Sequence, residues 1–399
     1  MRKMLREEFA IFEEAPEIID PMLPFVYLDN AATMQRPNRV IKKEAEYYEI
    51  MNANPLRGLY KLSEQSTRLL NQTRIKVAEY IGADPDEIVF VKNTTEGINL
   101  IANGMREVIC GDEKILVSLD SHHSNILPFT ERYKSQTMVC DDILKELNKN
   151  KKKVKIVALT GLSNVSGEEQ IDLVKEIRKS GYDRAILVDA AQLVAHKRIN
   201  VKEMNADFLV FSGHKIGAPM GIGVLYMSRE WMEKIKPLNY GGEMVEGVEI
   251  DKKGAIMSDF SFGPQKFEGG TINMGGVAGL FAAIDFWREY NGKNELFKAT
   301  DDLTYYTLEK INEIEDVQIY YGKNGIIVFN VRGVHPHDTA QILSNFGIMV
   351  RAGWHCAEPF LSRKKIGPAV RASLMFYNTK NEINYLVSIL AKVRSEMRL

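Results

Sequence analysis

The stretch Phe208-Leu209-Val210-Phe211-Ser212-Gly213-His214-Lys215 decides the fold, because a run of large apolar residues changes there abruptly to small and polar ones. Four large apolar residues in succession are typical of a strand that is buried on both faces, as in a parallel sheet. Such sheets bind their ligands beyond the carboxyl ends of the strands. The sequence therefore predicts that Lys215 lies at a binding site.

A second apolar run, Ala185-Ile186-Leu187-Val188, ends in Asp189-Ala190-Ala191-Gln192. A lysine after a strand is usually a solvated surface residue, and an aspartate at a strand end usually caps a helix or turn. Together, however, the two strands bring a carboxylate and an amine to one edge of the sheet. Pyridoxal 5'-phosphate (PLP) needs this pair, since a lysine holds it covalently and an aspartate contacts its pyridine nitrogen. The pair therefore predicts a PLP site.

The composition is that of an ordinary globular protein, with 399 residues, 45% hydrophobic and 26% charged. Because 52 Lys and Arg nearly cancel 53 Asp and Glu, the charge gives no support to nucleic-acid or membrane binding. No apolar run approaches the ~20 residues of a membrane span, and residues 1–19 predict an amphipathic leader helix rather than a signal peptide. Three cysteines, Cys110, Cys140 and Cys356, are too few for a disulfide framework and favour the cytoplasm.

The order of predicted elements gives an α/β fold with two domains. Strands alternate with helices and predict a large, doubly wound, mostly parallel sheet over residues 26–290. Residues 291–399 predict a small C-terminal α+β domain, which we expect to include the leader helix, residues 1–25. Between the last predicted strand of the large sheet, 223–227, and the long helix predicted at 277–290, we expect a glycine-rich linker and irregular chain. The predicted strands of the sheet cover 87–91, 114–119, 138–140, 156–159, 185–188, 208–211 and 223–227.

A candidate phosphate cradle lies at Thr94 and Thr95, between the predicted strand 87–91 and a helix predicted to begin at Ile98. Free N–H groups at a helix N-terminus favour an anion, and threonine hydroxyls add donors. The alternative is that the threonines only cap the helix. The local sequence leaves both interpretations open.

Seven motifs taken together identify a family. The chain resembles the fold-type I PLP enzymes of the class V aminotransferase group, and within it the SufS-like branch of the cysteine desulfurases. The resemblance runs from about Tyr27 to the C-terminal helix. Its motifs are Leu28-Asp29-Asn30-Ala31-Ala32, Thr94-Thr95-Glu96-Gly97-Ile98-Asn99, His122-His123-Ser124-Asn125, Ser163-Asn164-Val165, Val188-Asp189-Ala190-Ala191-Gln192, Ser212-Gly213-His214-Lys215 and Arg351-Ala352-Gly353-Trp354-His355-Cys356.

The resemblance implies a role for individual residues. Lys215 would hold the cofactor and move the α-proton of the substrate, and His122 would stack on the cofactor ring, although His123 stays open as a rival. Thr271 would reach the phosphate of the neighbouring subunit, which implies a homodimer. The implied cofactor contacts are Thr94, Thr95, His122, Asp189, Gln192, Ser212, His214, Lys215 and Thr271. The implied substrate contacts are Asn164, Arg351 and Arg371, and no metal is expected.

The implied reaction converts L-cysteine to L-alanine and leaves a persulfide on Cys356 for transfer to an acceptor protein, for example in iron–sulfur cluster assembly. Cys356 lies in a polar context beside Arg351 and His355, and we expect these neighbours to favour its thiolate. Cys110 and Cys140 lie in or beside apolar segments and are expected to be inert core residues. The short spacing from Cys356 to Arg371 implies the compact cysteine loop of the SufS-like branch.

Some residues depart from the family pattern, and other functions stay open. Trp354 stands where the SufS-like enzymes commonly have a histidine. In an earlier loop, Leu56 and Tyr60 also replace histidines that are often seen there. The alternatives are a selenocysteine lyase, another class V enzyme, or a scaffold of the same fold that has lost the reaction. A zinc site built from His122, His123, His355 and Cys356 is disfavoured, because these residues lack compact ligand spacing.

Overall fold

A computed structural model describes residues 5–397, without the side chains of residues 17–19. Its largest sheet has seven strands in the order β2-β8-β7-β6-β5-β3-β4, and of these only β8 runs antiparallel to its neighbours. This agrees with the predicted mostly parallel sheet. The strands are β2 (Ile88–Val91), β3 (Lys114–Ser118), β4 (Thr137–Cys140), β5 (Val154–Thr160), β6 (Ala185–Asp189), β7 (Phe208–Ser212) and β8 (Gly223–Met227).

The central strands are buried on both faces, as the apolar run predicted. Along β7, Leu209 and Phe211 belong to one hydrophobic cluster, whereas Phe208 and Val210 belong to the other. All four side chains are fully buried. Because successive side chains of a strand point to opposite faces, the sheet lies between two apolar layers. The doubly wound arrangement follows from this burial.

The α-helices supply these layers and surround a second sheet. They are Ile11–Ile19, Asn38–Glu46, Lys61–Ile81, Thr94–Gly104, His123–Tyr133, Ile143–Asn150, Ile171–Lys179, Val201–Met204, Arg229–Lys234, Met274–Tyr290, Glu295–Asn312, Pro336–Asn345, Glu358–Arg363, Lys380–Leu390 and Val393–Glu396. In the described part of the chain, none of them is long and apolar enough to cross a membrane.

The second sheet is antiparallel and comes from the C-terminal part of the chain, as the predicted α+β domain requires. It has the order β11-β12-β15-β14. Its strands are β11 (Val317–Lys323), β12 (Ile326–Val331), β14 (Arg351–Gly353) and β15 (Ala369–Ser373). Beside it, β1 (Val26–Tyr27) pairs in parallel with β13 (Ile348–Met349). Asp29 then bridges to Ser373, so the N-terminal segment is joined to the C-terminal sheet.

The N-terminal segment also contacts the long helix of the predicted large domain. The ring centroid of Phe9 lies 5.7 Å from that of Phe286 and 6.1 Å from that of Phe376. Residues from both predicted domains therefore share one apolar cluster. The domain boundaries, at 25/26 and 290/291, stay a prediction, and residues 1–4 of the leader lie outside the described residues.

The segment predicted to be irregular contains a hairpin, β9 (Val245–Ile250) and β10 (Ile256–Phe260). Its apolar side chains are unusually exposed, among them Ile250 at 74% and Ile256 at 71%. The two are direct cross-strand partners. The prediction failed here because glycines and charged residues interrupt the alternation by which a half-buried strand is recognised.

Candidate active site

A cavity of about 320 Å³ lies at the carboxyl ends of β5, β6 and β7. We call it the central cavity. It is lined by all the predicted site residues except Thr271: Thr94, Thr95, His122, Asn164, Asp189, Gln192, Ser212, His214, Lys215, Arg351, Cys356 and Arg371. Several other residues line the cavity without a role predicted from the sequence, among them Ala31, Ala32, Asn93 and Ser124. Alanines and caps carry no chemical signature from which such a role could be recognised.

Lys215 lies in a tight turn, Gly213–Ile216, that follows β7 and ends at Gly217 in the left-handed conformation, φ 80°. Its Nζ donates a hydrogen bond to Ala32 O at 3.0 Å and another to Ala31 O. Burial, together with the positive charge of Arg371 and against the opposing effect of Asp189, lowers the pKa of Lys215 to about 7. The amine is therefore substantially neutral near pH 7, which is the nucleophilic form.

Asp189 ends β6 and is almost completely buried. Its Oδ1 accepts a hydrogen bond from Ala191 N at 3.0 Å, and within the described residues no protein group donates to Oδ2. Burial raises the pKa of Asp189 to about 6, while the Ala191 N–H and Lys215 act in the opposite direction. A buried carboxyl with one free oxygen fits the N–H of a pyridine ring.

Thr94, Thr95 and Ser212 form a cup at the N-terminus of helix Thr94–Gly104. Thr94 N donates to Ser212 Oγ at 2.9 Å, and the Thr94 and Ser212 hydroxyls lie 2.8 Å apart. The helix is capped by Asn93, whose Oδ1 accepts from Glu96 N at 2.9 Å. The cap-only interpretation of the two threonines is therefore wrong. The cup fits an anion, because a helix N-terminus presents N–H groups and a partial positive charge.

The structure places His122, not His123, at the central cavity. His122 Nδ1 accepts a hydrogen bond from Ser124 N at 3.1 Å, so the ring caps helix His123–Tyr133 in a fixed orientation. Burial lowers the pKa of His122 to about 4, and Lys215 contributes to the same shift. A neutral, flat ring at this position fits stacking on an aromatic ligand.

Arg351 and Arg371 are direct cross-strand partners on β14 and β15, where like charges would repel. Asp29 lies between them, with Oδ2 3.2 Å from Arg351 Nε and Oδ1 3.3 Å from Arg371 Nη2. Arg371 also donates from Nη1 to Asn164 O at 3.0 Å, whereas its buried Nε has no partner in the described chain. This guanidinium can still bind a carboxylate.

Cys356 is exposed at the wall of the central cavity, in a loop with unusual backbone angles. His355 and Cys356 both have positive φ, 52° and 54°. Two backbone carbonyls hold the loop: Cys356 O accepts from His123 N at 2.7 Å, and His355 O accepts from Asn164 Nδ2 at 2.8 Å. Non-glycine residues adopt such angles only where contacts enforce them.

Two expectations about the cysteines and their neighbours change, and one is kept. Burial lowers the pKa of His355 to about 3, so its neutral ring adds no positive charge that would favour the Cys356 thiolate. Cys110 is exposed, so its predicted place in the core is wrong. Cys140 is half-buried, and burial raises its pKa to about 11, which agrees with an inert thiol.

Thr271 lies outside the central cavity, exposed on the surface beside Gly270 and Leu56. Leu56 and Tyr60 also lie outside the cavity. Trp354 packs against an apolar cluster with Ala357 and Phe360. Within residues 5–397 no group of three or more His, Cys, Asp or Glu side chains is arranged to hold a metal ion.

Comparisons with known proteins agree with this geometry. The sequence pattern of the class-V aminotransferases matches residues 26–386. A probable cysteine desulfurase of Halalkalibacterium halodurans is 38% identical, over 93% of this chain and 93% of its own length. The apo structure of the cysteine desulfurase of Thermococcus onnurineus NA1 superimposes with a TM-score of 0.88, at 32% identity, over 99% of this chain and 98% of its own.

A second structure, the Escherichia coli cysteine desulfurase CsdA in its S-sulfonic acid form, has a TM-score of 0.87 at 28% identity and covers 99% of both chains. These neighbours confirm the expected fold-type I architecture, with the large sheet and the small C-terminal domain. The sequence match, the identity over nearly the full length and the shared fold agree with one another. The chain therefore belongs to the class-V aminotransferase family, among its cysteine desulfurases.

Proposed function

We propose that this chain converts L-cysteine to L-alanine with the help of PLP and retains the sulfur as a persulfide on Cys356. One observation carries the proposal. An exposed cysteine, a lysine with a lowered pKa and a buried arginine with a free N–H line the same cavity. This combination supplies a nucleophile for sulfur, a base for the α-proton and a clamp for the substrate carboxylate.

The residues of the central cavity fit PLP in four places. The Lys215 amine would hold its aldehyde carbon, Asp189 Oδ2 would face its pyridine nitrogen, and Gln192 would face its phenolic oxygen. The cup of Thr94, Thr95 and Ser212, with His214 beside it, would hold the phosphate. When bound, PLP draws electrons away from the α-carbon of an amino acid.

Residues of the protein itself would carry out the remaining steps. Arg371 and Asn164, with Arg351 nearer the surface, would orient the substrate carboxylate, and Lys215 would take the α-proton and return it to carbon. The Cys356 thiolate would attack the substrate sulfur, so that an S–S bond forms and the C–S bond breaks. The electrons of the C–S bond stay with carbon, which is protonated to give alanine. Thiol and cysteine thus become persulfide and alanine, with no external oxidant.

We also propose the finer features that the resemblance implies. The enzyme would be a homodimer of the SufS-like branch, in which Thr271 of one subunit contacts the phosphate bound by the other, and it would pass its sulfur to an acceptor protein. The exposed position of Thr271, outside its own cavity, supports this arrangement. A cytoplasmic location stays a prediction from the cysteine content.

The test is alanine release from L-cysteine by the PLP-loaded enzyme in the presence of a reductant. Cys356→Ser should reduce the rate at least about 100-fold with its PLP content unchanged, because the nucleophile is lost while the cofactor contacts remain. Cys110→Ser, at another exposed thiol, is the matched control and should keep full activity. Alanine formation by Cys356→Ser at the wild-type rate would refute the assignment. No alanine from the PLP-loaded wild type would point to selenocysteine or another amino acid as substrate.

A further inference from the structure

Asp120 is an acidic residue of the site region to which the mechanism above gives no role. It follows β3 and lies two residues before His122. Both of its carboxylate oxygens are used, since Ser163 Oγ donates to Oδ1 and Ser166 Oγ donates to Oδ2. One largely buried carboxylate thus holds two hydroxyls of a single turn.

The two serine hydroxyls also accept hydrogen bonds from the backbone of the turn, so they connect this backbone to Asp120. Ser163 Oγ accepts hydrogen bonds from Val165 N at 3.2 Å and from Ser166 N at 3.0 Å. Ser166 Oγ accepts from Glu168 N at 3.1 Å. Because each hydroxyl donates to Asp120 while it accepts from the backbone, the carboxylate fixes the orientation of both hydroxyls and, through them, of three backbone N–H groups in the turn 163–168.

The opposite side of the turn is held by the C-terminal sheet. Asn324, in the turn between β11 and β12, donates to Gly167 O at 2.9 Å. A Cβ on Gly167 would lie 2.4 Å from Lys323 O, so the two turns touch backbone to backbone. The turn 163–168 is therefore clamped between Asp120 and the small sheet.

Asn164 in this turn contributes one contact to the cysteine loop and one to Arg371. Asn164 Nδ2 donates to His355 O at 2.8 Å, one residue before Cys356, and Asn164 O accepts from Arg371 Nη1 at 3.0 Å. We propose that Asp120 is a positioning residue, which sets the cysteine loop and the Arg371 guanidinium through Ser163, Ser166 and Asn164. This inference rests on the proposed roles of Cys356 and Arg371.

Asp120→Asn tests the inference. Both serine hydroxyls donate to the Asp120 carboxylate, and the NH2 group of an asparagine cannot accept such a hydrogen bond, so one of the two hydroxyls loses its acceptor. Asp207→Asn is the matched control. Asp207 is another largely buried carboxylate, bound to Arg178 and to Ile186 N, and it directly precedes β7, at the amino ends of the strands. Both substitutions replace a largely buried, hydrogen-bonded carboxylate by an amide, but only Asp120 is bonded to the turn that carries Asn164.

The first readout is amide hydrogen exchange of the cofactor-free protein. We expect faster exchange of Asp120→Asn in peptides covering 163–169 and also 351–360, whereas a purely local role would affect the first peptide alone. The second readout is the KM for L-cysteine, which we expect to rise about tenfold, as for the loss of one hydrogen bond to a charged group. PLP affinity should be unchanged, because no cofactor contact depends on this turn.

Ser163→Ala combined with Ser166→Ala provides a second route to the same result if Asp120→Asn folds poorly. Wild-type exchange over 351–360 in either variant, or an unchanged KM, would overturn the inference. A different result would refute the proposed function, namely alanine release by Cys356→Ser at the wild-type rate. An enzyme with an essential Cys356 and an unaffected Asp120→Asn variant would thus refute the positioning role alone.

Discussion

Lys215 and Asp189 have pKa values that the same physical cause shifts in opposite directions. Burial lowers the pKa of Lys215 and raises that of Asp189, and in each case it favours the uncharged form. The opposite charge of the partner offsets part of each shift. The cavity therefore keeps an amine and a carboxyl near their midpoints around neutral pH, where either group can exchange a proton.

The pKa of Lys215 predicts how the apoenzyme binds its cofactor. Only the neutral amine attacks an aldehyde, and its fraction grows as pH rises through the pKa. We expect the rate of PLP attachment to rise between about pH 6 and pH 8 and then to level off, since the pKa is about 7. Absorbance of bound PLP in stopped-flow reconstitution measures this rate.

Arg371→Met supplies the control for this pH dependence. Because the Arg371 charge lowers the pKa of Lys215, its removal should move the midpoint to higher pH. A wild-type rate that continues to rise beyond pH 9, as for an ordinary lysine, would contradict the proposed environment of the amine.

At the scale of the element, the strands could be predicted well from the sequence and the caps and turns poorly. β7 and β6 were recognised because four apolar residues in succession are typical of a strand buried on both faces. Helix Thr94–Gly104 begins before the predicted Ile98, since the cap is Asn93 rather than a threonine. The chemistry of the cysteine loop could be predicted from its sequence motif. The positive φ of His355 and Cys356 depends on contacts with Asn164 and His123, which no local pattern reveals.

Helix Thr94–Gly104 gives a prediction at this scale. Gly97 lies against β7, where a Cβ would come within 2.5 Å of Val210 Cγ1, and Val210 is a fully buried, stiff side chain. Alanine favours a helix by about 1 kcal/mol over glycine, but overpacking costs about 1–3 kcal/mol. We expect Gly97→Ala to lower the free energy of unfolding and to weaken PLP binding, because the phosphate cup moves with the helix.

Chemical denaturation and PLP titration measure the two effects. Asn103→Ala, on the same helix, is the control, because among the described residues its side chain makes one hydrogen bond, a long one of 3.4 Å to Pro237 O. If Gly97→Ala were more stable than the wild type, helix propensity would outweigh the contact with the sheet.

At the scale of the whole molecule, alternating strands and helices predicted both sheets, but the exposed hairpin β9–β10 was missed. Its cross-strand pair of exposed isoleucines has no buried face within one chain, so it lacks the pattern by which a strand is recognised. The role proposed for Thr271 likewise requires a second chain.

A mixed-subunit experiment tests the role of Thr271. Thr271→Ala should weaken PLP binding about tenfold by removing one donor to the phosphate, and Lys215→Ala should be inactive. In a dimer of one Thr271→Ala and one Lys215→Ala subunit, the intact Lys215 site receives Thr271 from its neighbour. We therefore expect mixing to restore one site with wild-type PLP affinity. Affinity that stayed weak after subunit exchange would place Thr271 in its own subunit's site.

The loop after β1 has a consequence for the order in which the protein can mature on the ribosome. Ala31 O receives the Lys215 amine, Ala31 N donates to Ser373 Oγ, and Ser373 N donates to Leu28 O. A segment translated near the beginning thus completes its set of partners only when residue 373 of 399 has emerged. We expect stalled nascent chains that end before β15 to retain no PLP and full-length released chains to retain it, so that cofactor loading marks completed synthesis.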